Sequence, residues 1–162
     1  MSALGDPQQY LTASSSKIPV MKRLKLPFLS DRYIGFTIPK AATFHICDHD
    51  EVWRIAIGSD GPAVEVTGLQ PYRFVEDRAD FLGLVFEGLA VNQPLLRVGP
   101  NQIVYDFDPN KNFVPVRYVV AGQSGEIQFP IFSGAWFAAS FSDDGCHLVL
   151  ADPGEIALYQ VV

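Results

Sequence analysis

The stretch AWFAASFSDDGCHLVLADPGEIALYQVV (residues 135–162) decides the fold class. It contains three apolar runs of six or seven residues, which are separated by the segments SDDG and DPGE. Gly, Pro, Asp and Ser are the residues that tight turns require, and short apolar runs between turns are typical of strands. The stretch therefore predicts three antiparallel strands joined by hairpins.

The same pattern of apolar runs and turn residues continues upstream as far as Phe28. Examples are TFHIC (43–47), EVWRIAI (51–57), FVPVRYVVA (113–121) and IQFPIF (127–132). Roughly ten short strands at a spacing of about 8–12 residues predict an all-β fold, an antiparallel sandwich or barrel.

One stretch, residues 71–91, departs from the strand pattern. Phe74, Phe81 and Val85 fit one face of a helix, and Asp77 and Asp80 suit its first turn. The stretch therefore predicts one short helix near residues 74–81, followed by a strand.

Charge divides the chain into two parts. Residues 1–40 carry six basic and two acidic residues, a net charge of +4, whereas residues 41–162 carry six basic and sixteen acidic residues, a net charge of −10. The first part also has no sustained hydrophobic period. We therefore predict an extended basic N-terminal arm over residues 1–30 and a single β domain over residues 31–162.

Neither a membrane span nor a secretory signal is visible in the sequence. The longest apolar run, PIFSGAWFAASF (130–141), is far shorter than the roughly 20 residues that a spanning helix needs. The N-terminus lacks the cationic start and apolar stretch of a secretory signal. The sequence therefore predicts a cytoplasmic or particle-associated protein, in which Cys47 and Cys146 are reduced, buried thiols.

The stretch FHICDHDEVWRI (44–55) raises the question of a metal site. In an unbroken strand His45, Cys47 and His49 would share one face, and imidazole and thiolate are ligands that zinc prefers. However, the segment DHD has the residue types of a turn, which would move His49 out of line. We interpret the stretch as a hairpin, expect no metal or other cofactor, and keep zinc as a minority alternative.

Other candidate chemistry is weak. DFDPNKN (106–112) spaces its acidic and amide residues as calcium loops do, but Lys111 and Arg117 occupy the positions of the required Gly and Glu. AGQSGE (121–126) lacks the closing Gly of a nucleophile elbow, because Glu126 takes its place. We therefore predict no catalytic residues and a protein that is not an enzyme.

Two groups of residues are candidates for binding. Lys17, Lys22, Arg23 and Lys25 make the arm basic, and an acidic protein surface suits it better than nucleic acid, which the acidic body would repel. Exposed Trp side chains beside Arg can stack on a sugar or a peptide, although Trp in strands more often belongs to the core. This second group consists of Trp53, Arg54 and Trp136.

These observations predict a non-catalytic structural or interaction subunit. It would form a homo-oligomer or join a larger complex through its arm and an apolar face, and a virion or capsid-associated particle would fit this description. The first alternative is a ligand-binding β module, perhaps for carbohydrate, that uses exposed Trp and Arg side chains. The second alternative is a small metal-dependent enzyme around His45, Cys47 and His49.

Overall fold

The structure, a computed structural model, describes residues 20–78, 83–89, 93–132 and 134–162. As predicted, the fold is all-β, with thirteen strands in three antiparallel sheets within these residues. The central sheet has the order β1 (Met21–Leu24), β13 (Glu155–Val161), β12 (His147–Asp152), β11 (Ala138–Phe141). The β7–β10 sheet has the order β10 (Gln123–Pro130), β9 (Phe113–Val120), β8 (Asn101–Val104), β7 (Arg97–Val98). The β2–β6 sheet has the order β5 (Gly61–Val66), β4 (Val52–Gly58), β3 (Thr43–Asp48), β2 (Tyr33–Thr37), β6 (Phe86–Gly88).

The central sheet is covered on both faces, which makes the sandwich three layers deep. Leu148 and Leu150 of β12 pack in one core cluster with residues of the β7–β10 sheet. Val149 and Ala151 of the same strand pack in a second cluster with residues of the β2–β6 sheet. Burial on both sides explains why HLVLA reads as a continuous apolar run and does not alternate with polar residues.

A helical segment covers the outer face of the β2–β6 sheet. The helix α1 (Pro71–Arg73) continues into a π-helical turn (Phe74–Arg78), and Phe74 is fully buried against Cys47 and its neighbours. The predicted helix thus exists, but it begins three residues earlier than expected, with Gln70 as its N-cap and Pro71 in its first turn. The rest of the predicted helix, residues 79–81, lies outside the described residues.

Part of the predicted basic arm is a strand. β1 lies at one edge of the central sheet and pairs antiparallel with β13, from Met21 opposite Val161 to Leu24 opposite Leu158. The boundary at residue 30 stays a prediction, and Lys17 lies outside the described residues. No helix in the described ranges has the length and apolar character to cross a bilayer.

Candidate docking surface

The cations of β1 and of the residue that follows it face solvent. Lys22, Arg23 and Lys25 are exposed, and Arg23 forms an ion pair with Glu155, with 3.1 Å between Nη2 and Oε1. Within the described residues, Lys22 and Lys25 have no ion-pair partner. An exposed ion pair is worth little, about 0–1 kcal/mol, so this edge remains available to an acidic partner.

The chain after β1 is held by leucines that point inward. Leu24 is buried in the core between the central and β2–β6 sheets, and Leu26 and Leu29 pack against that core. The backbone N–H of Ser30 donates to the Tyr33 hydroxyl at 3.1 Å. Phe28, between the two outer leucines, is 80% exposed. The segment is thus anchored on both sides of an aromatic ring that faces water.

A second exposed ring, Phe132, lies beside the turn between β12 and β13. The backbone N–H of Phe132 donates to Oδ2 of the fully buried Asp152 at 2.9 Å, and Gly154 and Glu155 donate theirs to Oδ1, each at 2.8 Å. A β-carbon placed on Gly154 would lie 3.0 Å from Cδ2 of Phe132, so the ring lies against this glycine. Burial raises the pKa of Asp152 despite the three hydrogen bonds, which act in the opposite direction.

These features form one continuous surface. Arg23, Phe28 and Gly154 line a shallow depression of about 180 Å³. A neighbouring groove of about 350 Å³ separates β1 from the β4–β5 turn. Exposed aromatic side chains and Arg are enriched where proteins bind other proteins. We call this region the docking surface, which consists of Lys22, Arg23, Lys25, Phe28 and Phe132.

No protein-family model, curated protein or solved structure matches this chain. Because one fold can host many functions, function has to be inferred here from the positions and chemistry of individual side chains.

The two tryptophans and Arg54 do not form a binding platform. Trp53 and Trp136 are 7% and 6% exposed, and both belong to the core between the central and β2–β6 sheets. Arg54 is exposed on the opposite face of β4, where it pairs across the strands with His45. The expectation of exposed tryptophans beside Arg54 is therefore wrong, because the alternation along β4 separates neighbouring residues.

The residues of the zinc alternative are not brought together as a trio. Cys47 and His45 lie on the outer face of β3 with Phe74, whereas His49 lies in the turn and contacts the Tyr72 hydroxyl. Burial strongly raises the pKa of the Cys47 thiol, and burial followed by the nearby Arg54 charge lowers the pKa of His45. The described residues contain no group of three His, Cys, Asp or Glu side chains that could hold a metal ion.

The stretch that raised the metal question is a hairpin turn, as predicted. Oδ1 of Asp48 accepts the backbone N–H groups of Asp50 and Glu51 at 2.7 and 2.6 Å. The calcium alternative has a similar explanation, because Oδ1 of Asp108 accepts the N–H of Asn110 at 2.9 Å. These aspartates close turns by accepting local backbone donors.

The hairpin between β11 and β12 contains a buried histidine. His147 is buried, and neither of its ring nitrogens has a hydrogen-bond partner within the described residues. Its backbone N–H donates to Ser142 Oγ at 2.9 Å, and that hydroxyl donates to Asp144 at 2.6 Å. The three residues thus meet in one hairpin without a contact from the imidazole to the serine, so they do not form a catalytic triad. Burial lowers the pKa of His147, and the Asp144 charge opposes that effect.

The two cysteines differ in their surroundings. Both are free, but Cys47 is buried and Cys146 is exposed. The expectation of two buried thiols is therefore wrong for Cys146. It lies at the end of the SDDG turn, where Asp144 Oδ1 accepts its backbone N–H at 2.9 Å.

Proposed function

We propose that this chain is a non-catalytic interaction subunit, which assembles with further copies of itself through the docking surface. The observation that carries the proposal is the pair of exposed rings, Phe28 and Phe132, which are 80% and 72% exposed and both lie near Gly154 of the β12–β13 turn. The backbone that carries each ring is anchored by packed leucines or by a hydrogen bond to Asp152, so the exposure of both rings is built into the fold. An aromatic ring has only two side-chain torsions, so a partner can bury it at a modest cost in conformational entropy.

The charge distribution supports a second copy as the partner. The docking surface contributes three cations, whereas residues 41–162 carry sixteen acidic and six basic residues. A basic surface on one copy can therefore meet an acidic surface on the next. Attraction of this kind acts over a Debye length of about 10 Å at 0.1 M salt and about 3 Å at 1 M salt. The assembly should accordingly weaken as salt is raised.

The polar clusters of the described residues support a non-catalytic role. Asp48, Asp144 and Asp152 accept backbone N–H groups and thereby close hairpin turns. Each carboxylate thus has a structural task that accounts for its position.

The test is the solution mass by light scattering, measured at low salt and at about 1 M salt. The wild-type chain should form an oligomer at low salt that is larger than the species at high salt. Phe28→Ser and Phe132→Ser should each lower the low-salt mass without a large loss of stability, because both rings are exposed. Val104→Ser is the matched control, since Val104 is 59% exposed on β8 and lines neither depression of the docking surface. A mass that is unaffected by salt, or lowered equally by the control, contradicts the proposal.

A further inference from the structure

The free edges of the three sheets are not equally protected. β1 carries Lys22 and Arg23, and β5 carries Pro62, which are two ways of blocking edge-to-edge pairing. β6 and β7 are only three and two residues long. The edge of β11 is covered, because Phe141 donates its N–H to the carbonyl of Leu95 at 2.9 Å.

The remaining edge strand, β10, has eight residues and lacks both Lys and Arg, and its proline, Pro130, is the last residue of the strand, so the seven residues before it keep their backbone N–H groups. It lies at the end of the β7–β10 sheet and, within the described residues, pairs with β9 on one side only. A long edge without cations is a template for another strand.

The alternation of hydrogen bonds between β9 and β10 shows which backbone groups of β10 point away from β9. Ala121 and Gly122 have φ values of 51° and 77°, the signature of a two-residue type I′ turn that is closed by a hydrogen-bonded Val120–Gln123 pair. Antiparallel pairs alternate, so the backbone groups of every second residue point away from β9. These residues are Ser124, Glu126, Gln128 and Pro130. The other end of the β9–β10 ladder shows the same alternation, since the N–H of Ile131 points toward β9 and donates to the carbonyl of Asn112 at 3.0 Å.

We propose that a second copy of this chain pairs antiparallel with β10, with the two-fold axis at Ile127. In this register Glu126 lies opposite Gln128 of the second copy, and about six ladder hydrogen bonds form. Ile127 is partly buried against the core and would meet its own equivalent, which extends the apolar layer. One neighbouring register that pairs the same outward groups places Glu126 opposite Glu126, where the like charges repel. The other places Gln128 opposite Gln128 but forms fewer ladder hydrogen bonds, because Ser124 then lies beyond the end of the partner strand.

The chain itself contains this combination of side chains. Gln128 and Glu126 share a face of β10, and the Gln128 amide donates a hydrogen bond to the Glu126 carboxylate. In the two-fold arrangement each carboxylate faces such an amide from the other copy. The interface is therefore self-complementary, which is the requirement for a two-fold contact.

This interface rests on the proposed function in one respect, namely that the partner is a second copy of the chain. It uses a different surface. Backbone hydrogen bonds and apolar contacts depend little on salt, whereas the docking surface depends on charge. At about 1 M salt the β10 contact should thus remain when the docking surface has lost most of its attraction. The two contacts can therefore fail or succeed independently.

The test is the concentration-dependent mass at about 1 M salt. The wild-type chain should form a dimer, and Gln128→Pro should be monomeric, because this substitution removes an outward N–H and leaves the β9–β10 ladder intact. In the Phe28→Ser background at about 0.1 M salt, where charges are less screened, Gln128→Glu should weaken the dimer and Gln128→Lys should strengthen it, each by roughly 2- to 30-fold in Kd, because two such pairs form per dimer. Gln102→Glu and Gln102→Lys, on β8 of the same sheet and away from its edge, are the controls and should change nothing.

Several results would overturn the inference. These are a wild-type monomer at all concentrations, a Gln128→Pro protein that remains dimeric, and shifts in the same direction for Gln128→Glu and Gln128→Lys. A dimer that responds to Phe28→Ser and to no substitution at Gln128 would place the two-fold contact at the docking surface. Far-ultraviolet circular dichroism of each variant confirms that the fold is retained.

Discussion

Replacement of Asp152 by Asn tests whether this buried carboxylate positions Phe132. In the wild-type chain Oδ1 of Asp152 accepts two turn N–H groups, and Oδ2 accepts the N–H of Phe132 at 2.9 Å. Asn keeps one oxygen for the turn but turns an amide N–H toward the N–H of Phe132. The matched control is Asp48→Asn, because both hydrogen bonds of Asp48 go to a single oxygen, which Asn retains.

The two substitutions should differ by the cost of one unpaired backbone donor. That cost is about 1–3 kcal/mol for a buried N–H. Burial raises the pKa of Asp152, which means that the charged carboxylate destabilises the fold through its desolvation. The neutral Asn avoids this penalty, which offsets part of the loss. We therefore expect Asp152→Asn to lower the free energy of unfolding by about 1 kcal/mol more than Asp48→Asn does.

Urea unfolding measures this difference, and amide hydrogen exchange locates it. The Phe132 amide should exchange faster in Asp152→Asn than in the wild-type chain, and it should be unchanged in Asp48→Asn. Equal stability losses together with an unchanged Phe132 amide would refute the conclusion that Asp152 holds Phe132 in place.

Three further predictions concern stability and reactivity. Burial lowers the pKa values of His45 and His147, so the unfolded chain binds more protons below the ordinary value of 6.5. The free energy of unfolding should hence fall as the pH is lowered from 6.5 toward the folded-state pKa values. His147→Phe should reduce this fall. A free energy of unfolding that does not change over this pH range would contradict the lowered pKa values. Ala121→Asn should raise the free energy of unfolding by about 0.5–1 kcal/mol, because Asn tolerates the positive φ of this type I′ turn better than Ala, and thermal unfolding would show a destabilised variant if this is wrong. A thiol reagent should label Cys146 in the native state and Cys47 only after unfolding, and rapid labelling of both thiols would show that Cys47 is accessible.

The sequence predicts the β architecture because hairpin turns are local signals. Asp48 and Asp152 each close their turn with a carboxylate that lies within three residues of the donors. The short apolar runs between the turns likewise predict strands, because each strand buries the side chains of one or both of its faces. The three-layer arrangement could not be predicted, because it depends on which strands far apart in the chain pair with one another, as β1 pairs with β13.

The candidate site was predicted only in part, since exposure depends on packing. Lys22, Arg23 and Lys25 are correctly expected at the surface because their charge alone keeps them there. Phe28 and Trp53 have similar apolar rings, and only the packed structure shows that the first is exposed and the second is buried. Residue type gives a preference for burial, and tertiary contacts decide the outcome.

The most direct test of the central claim is the low-salt solution mass of two charge-reversed variants. Lys22→Glu/Lys25→Glu alters the docking surface, and Arg73→Glu/Arg97→Glu makes the same change in net charge at exposed positions elsewhere. The first variant should lose the salt-sensitive oligomer, and the second should keep it. Equal masses for the two variants would contradict self-assembly through the docking surface.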